Sequence, residues 1–325
     1  MSKKLLKNIG ALLLSVLLIS GMLFLPEVSV RFALAGLELW FTKMIPTLFP
    51  FMVVSGILIR MNLVKPLCAP LSGLFSRLFG VRENGVFCIF MGFLCGFPMG
   101  AKVISDLYKK GELSLEEADY LLAFCNNIGP IYFCGYVLVT LKIVNPLPFL
   151  FGMYGIPFLY GMALFRLLPF FQRERKKNCF SVASLAVKNA PQPSFLEAVD
   201  GAIMSGIENI TKLGGYMIFF NLFNMLPRFL MQKGFAAGLS YSARVQMTYF
   251  FSCFFEISGG VNLVKNKEPW LLLAMIPFGG LCCMAQTYSL LRDTPLSITK
   301  YALHKLCITA ITIGYLFLLS SYITL

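Results

Sequence analysis

Nine apolar stretches, near residues 5–25, 36–59, 85–105, 123–143, 147–171, 203–227, 244–264, 269–291 and 300–322, decide the solvent in which this chain can fold. An α-helix rises 1.5 Å per residue, so about 20 apolar residues cross the hydrocarbon of a bilayer. Of the 325 residues 58% are apolar and 13% charged, against about 45–50% and 25% in soluble domains. In water such a chain would expose more apolar surface than one core can hide. The expected fold class is all-α: a polytopic helical membrane protein with about seven to nine crossings, since Gly, Pro or charge interrupts several stretches.

The net charge of +13 does not point to nucleic acid, because the basic residues sit in short segments between apolar runs. Cytoplasmic loops and anionic headgroups account for such a pattern, which makes membrane lipid the expected partner. The ten cysteines fall mostly inside apolar runs without CxxC spacing, and His304 is the single histidine. They read as small packing residues, with no metal site and no cofactor expected. No HExxH, GxSxG or paired catalytic aspartates occur, so no catalytic residue and no enzymatic activity are expected.

Lys3, Lys4 and Lys7 before the first apolar run read as an uncleaved signal anchor over 1–30. The strongest basic block, Arg166 with Arg173, Arg175, Lys176 and Lys177, opens a cytoplasmic linker over 171–196. It separates residues 31–170 from 197–325, and these two parts show a weak internal repeat. A shift of about 165 residues lays 35–58 over 200–223, with Gly36 on Gly201, Phe51 on Tyr216 and Lys43 on Glu208. A shift of about 160 lays 96–102 over 256–262 and Asn126-Asn127 over Gln286-Thr287. Paired halves with interrupted helices mark secondary transporters, so two inverted repeats with broken or re-entrant helices are expected.

The interruptions are where chemistry is expected. In GFLCGFPMGAK, residues 92–102, Gly96, Pro98 and Gly100 break an otherwise membrane-length run, and Lys102 follows. Backbone freed at membrane depth is tolerated where protein or a wet cavity satisfies it. A kinked packing helix with a snorkelling lysine is the plainer reading of this motif alone. In FCNNIGPIYF, residues 124–133, Asn126 and Asn127 precede Gly129-Pro130, and a helix restarting at Pro130 aims free N–H groups and a positive dipole end backwards. Between the two, 109–122 reads as an amphipathic surface helix.

In the second part Glu256 interrupts FFEISGG, followed by Ser258 and Gly259. An acidic residue there is costly unless paired, protonated or used in transport. It is a candidate for the coupling ion, with burial against Lys265 or Arg292 as the structural alternative. Gln286 and Thr287 complete the expected polar set.

IPTLFPFMVVSGIL, GFLCGFPMGAK, LLAFCNNIGP, FFEISGG and AQTYSLLRDTPLSITKYALHKL, in this order, resemble the sporulation integral membrane proteins of the YlbJ type. That family belongs with nucleoside-recognition, or Gate, domains and is related to concentrative nucleoside transporters. The resemblance implies a permease for a small organic anion, dipicolinate, in the cytoplasmic membrane or the outer membrane of the forespore. It leaves open a nucleoside or related metabolite as cargo, a non-transporting scaffold of the spore envelope, and partnership with a second copy or other envelope proteins.

Overall fold

In lipid, a chain without a closed barrel must satisfy its backbone within helices. The computed structural model describes residues 3–167, 193–227, 238, 240–264 and 267–322, and all regular structure among them is helical. Helix α1 (Lys3–Phe24) leads into α2 (Pro26–Arg60), which begins on a proline whose missing N–H costs nothing there and carries a π-turn at Trp40–Met44. Then come α3 (Val64–Phe79), α4 (Glu83–Leu94), α5 (Met99–Lys109), α6 (Leu115–Phe124), α7 (130–140) and α8 (Leu147–Leu167). The second part holds α9 (Phe195–Leu222), α10 (Tyr241–Phe255), α11 (Ile257–Val264), α12 (Pro269–Met275), α13 (Gly280–Leu291) and α14 (Ile298–Ser320). Arg173, Arg175, Lys176 and Lys177 of the expected linker, and Lys265, lie outside the described residues.

One order of elements recurs. A long helix (α2, α9) is followed by a first broken pair (α4/α5, α10/α11), a second broken pair (α6/α7, α12/α13) and a long apolar helix (α8, α14). Helix α3 has no counterpart among the described residues. Among the described residues four segments are long and apolar enough to cross a membrane, Pro26–Arg60, Leu147–Leu167, Pro269–Leu291 and Ile298–Ser320. Four is fewer than the seven to nine read from the sequence because several apolar stretches are divided into shorter helices and because α9, undivided over 28 residues, carries Glu197, Asp200, Glu208 and Lys212; even Pro269–Leu291 is interrupted at 276–279.

The interruptions stand at 95–98, 125–129, 256 and 276–279. Three coincide with expected breaks. The fourth does not: Gln286 and Thr287 lie inside the continuous helix α13, and the break falls about ten residues earlier, at Ile276-Pro277-Phe278-Gly279. Proline and left-handed glycine end the helix there; Gly279 and Gly280 have φ of 78° and 79°.

Helices α2 and α9 run antiparallel along a seam of glycines. Gly36 meets the backbone at Met217 and Ile218, Gly214 meets the Trp40 ring, Gly206 meets Phe49, Gly56 meets Ala202, and Arg60 donates to the Gly201 carbonyl at 2.9 Å. A Cβ added at Gly36 would lie 2.9 Å from the Met217 carbonyl oxygen, so the two backbones approach there as only a small residue allows, while one at Gly214 would lie 2.5 Å from the Trp40 ring, which the glycine accommodates. Lys43 and Glu208, matched by the repeat register, do not pair: Lys43 Nζ sits 5.8 Å from the centre of the Tyr136 ring, and Glu208 bonds Lys212 at 2.5 Å.

Candidate functional site

The first two interruptions touch through backbone. Added Cβ atoms at Gly92 and Gly100 would lie 1.6 and 2.1 Å from the Cys125 carbonyl oxygen, and one at Gly96 2.3 Å from the Gly129 nitrogen. All three glycines of the α4/α5 element thus face the interrupted segment 125–129. Gly96 also needs its φ of 89°. Pro98, buried, caps α5, and Pro130 opens α7. In the second part Gly280 packs against the carbonyls of Cys253 and Phe254, so the third and fourth interruptions meet in the same manner. The two sets join where Gly279 packs on the Phe97 ring.

A cavity lies where these segments face the α2/α9 seam. The cavity is small, about 60 Å³ in volume. The seam supplies Met44, Thr47, Leu48, Phe51, Leu213 and Met217. Opposite stand Cys95 and Phe97 from the first interruption, Ile128 and Gly129 from the second with Ile131 and Tyr132, and Glu256, Ile257 and Ser258 from the third. Cys283 and Gln286 of α13 close it. The walls are apolar and aromatic with a few converging polar groups, the composition of a small-molecule site.

Of the expected residues, Gly129, Glu256, Ser258 and Gln286 line this cavity. Glu256, buried, does not pair with Arg292, which is exposed. Its backbone is extended, with φ −148° and ψ 112°, and its carboxylate accepts from the backbone N–H of Ser258 at 3.0 Å and of Gly259, and from Asn221 Nδ2 at 3.1 Å. The residue thus caps the helix that follows it, a favourable place for negative charge. Gln286 donates to Cys282 Sγ at 3.1 Å.

Asn126, Asn127 and Thr287 form a second polar group that does not line the cavity. Asn126 Nδ2 donates to Thr287 Oγ1 at 3.1 Å and to Tyr301 OH at 2.9 Å, while its Oδ1, fully buried, has no protein partner. The repeat register lays Asn126 on Gln286, whereas its contact partner is Thr287, the residue laid on Asn127. Asn127 Nδ2 donates to the Phe124 carbonyl at 2.7 Å, and its Oδ1 accepts from Lys305 Nζ at 3.0 Å. Lys102, also away from the cavity, is buried and bonded to Asp106 at 2.5 Å.

Lys305, Tyr301, Asn221 and Phe97 were not singled out by sequence reasoning. A signal exists for the first two: Tyr301, Lys305, Ile308, Thr309, Thr312 and Leu316 are the buried residues of α14 and lie at helical spacing along one side. A lysine on the buried side of a membrane-length helix demands a reason.

Over 315 aligned residues the chain is 25% identical to the sporulation integral membrane protein YlbJ of Bacillus subtilis (strain 168), covering 86% of this chain and 75% of that protein. The chain is YlbJ-like. No family model and no solved structure matches it. The apolar helices of this YlbJ-like chain and its integral membrane relative together make it a membrane protein.

Proposed function

We propose that this YlbJ-like protein is a permease acting in spore formation, which moves a small organic anion, dipicolinate, across the outer membrane of the forespore by alternating access. The observation that carries the reading is the meeting of helix interruptions from both halves at one cavity between them. Broken helices are tolerated in lipid where protein or a wet site satisfies their ends, and paired broken helices are how transporters build such a site. The antiparallel contact of the equivalent helices α2 and α9 supports an inverted arrangement of the halves.

Glu256 is the coupling group in this scheme. Its carboxylate occupies the N–H groups at the start of α11. Once Glu256 is protonated, those donors become free to receive a substrate carboxylate, so proton and anion enter together.

The test is uptake of labelled dipicolinate into vesicles holding the purified protein. Uptake driven by an inward proton gradient is expected, and Glu256→Gln is expected to remove the gradient dependence. Binding without flux would replace the permease by an envelope scaffold, and competition by uridine but not by other carboxylates would replace the anion by a nucleoside.

A further inference from the structure

We infer that Lys305, with Asn126 and Asn127, forms an anion subsite covered by the Phe97 ring, and that a carboxylate of the cargo reaches this lysine when Phe97 turns aside. The inference rests on the permease reading and adds to it the residue that recognises charge.

Lys305 is 1% exposed, on the eighth residue of α14, about 10 Å along the helix from its start. At that burial it does not snorkel to a headgroup. An ammonium carries three donors, yet its hydrogen bond to protein is the one to Asn127 Oδ1, and its second contact is the Phe97 ring, with Nζ 4.6 Å from the ring centre. No carboxylate among the described residues forms an ion pair with it, whereas the other buried lysine, Lys102, has Asp106. A buried cation without a counter-ion is costly, and its unused donors suit an oxyanion. The residue before Asn127, Asn126, is 0% exposed, and its Oδ1 is orphaned. That acceptor suits a donor brought by the ligand, such as a ring N–H or a protonated carboxyl.

Phe97 is the partition. The ring lines the cavity and is also the surface on which the ammonium rests. Phe97 belongs to the interruption, between α4 and α5, and its neighbour Gly279 leaves the ring in contact without enclosing it by a side chain. A cation resting on an aromatic face gains less than one paired to a carboxylate, so an incoming carboxylate displaces the ring. The ligand class is a small aromatic acid: apolar ring against Phe51, Met217 and Tyr132, carboxylate toward Lys305.

The experiment compares pyridine-2,6-dicarboxylate with its neutral diamide, measuring binding in detergent and flux in vesicles for wild type, Lys305→Gln and Phe97→Ala. Lys305→Gln is expected to weaken dicarboxylate binding by about 30-fold or more while changing the diamide by less than about threefold. Phe97→Ala is expected to tighten the dicarboxylate relative to the diamide. Equal loss of both ligands in Lys305→Gln, together with no change in their ratio in Phe97→Ala, overturns the subsite and leaves the permease standing. If Lys305→Gln does not fold, the ratio in Phe97→Ala decides alone. Wild type that neither binds nor moves either compound overturns the permease reading, and the subsite falls with it.

Discussion

Replacing Gly92 by alanine puts a methyl group where the first interruption grips the second. Alanine is the better helix former by about 1 kcal/mol, so the exchange inside α4 should stabilise if space allowed. It does not: the new Cβ would stand 1.6 Å from the Cys125 carbonyl oxygen. Restoring 3.4 Å of ordinary contact needs about 1.8 Å of separation, and a backbone oxygen has no rotamer by which to retreat. Overpacking typically costs about 1–3 kcal/mol, and the depth of this overlap puts it at or beyond the upper end. After the gain in helix propensity, a net loss of about 2 kcal/mol or more is expected. Gly215→Ala is the control, because a Cβ there meets nothing within 4 Å and the residue sits in helix α9. Thermal unfolding of the purified protein in detergent, followed by tryptophan fluorescence, measures both. Gly92→Ala melting at or above the Gly215→Ala temperature would refute the claim that the two interruptions are locked through backbone.

Two further outcomes follow from the site. Lys102→Gln should lower flux of the dicarboxylate and of its neutral diamide to the same extent, because Lys102 is paired with Asp106 away from the cavity; a selective loss of the anion in the vesicle assay would restore it as a charge-recognising group. Asn126→Leu removes two donated hydrogen bonds and strands Tyr301 and Thr287, a loss of about 1–3 kcal/mol, and should reduce flux at least tenfold at unchanged membrane insertion, judged by uptake per inserted protein.

The sequence speaks most clearly where backbone rules are broken. Gly96-Phe97-Pro98 and Gly129-Pro130 cannot continue a helix, and Glu256 is out of place in an apolar run, so those three breaks are legible. The fourth is misread because Gln286 and Thr287 are polar, while a polar side chain on the buried side of a helix need not break it. The true signal is Pro277 and Gly279, which lie among equally apolar neighbours. Lys305 escapes for a different reason. A lysine near the start of an apolar helix, five residues after Lys300, looks like a headgroup anchor, and only the packing of α14 against Asn127 and Phe97 turns it inward. The Lys102–Asp106 pair shows the converse: a lysine beside a Gly/Pro break reads as functional until its i+4 carboxylate is seen to neutralise it.

The glycine seam between α2 and α9 carries a mechanical consequence. Two helices packed this tightly, Gly36 on main chain and Gly206 and Gly214 under aromatic rings, cannot slide or roll past one another without opening voids, so the pair acts as a keel of fixed shape. In the permease reading, motion that transfers a solute is then borne by the half-helices hung beside it, with the first two interruptions, locked to one another at Gly92, Gly96 and Gly100, moving as one body while the keel stays still.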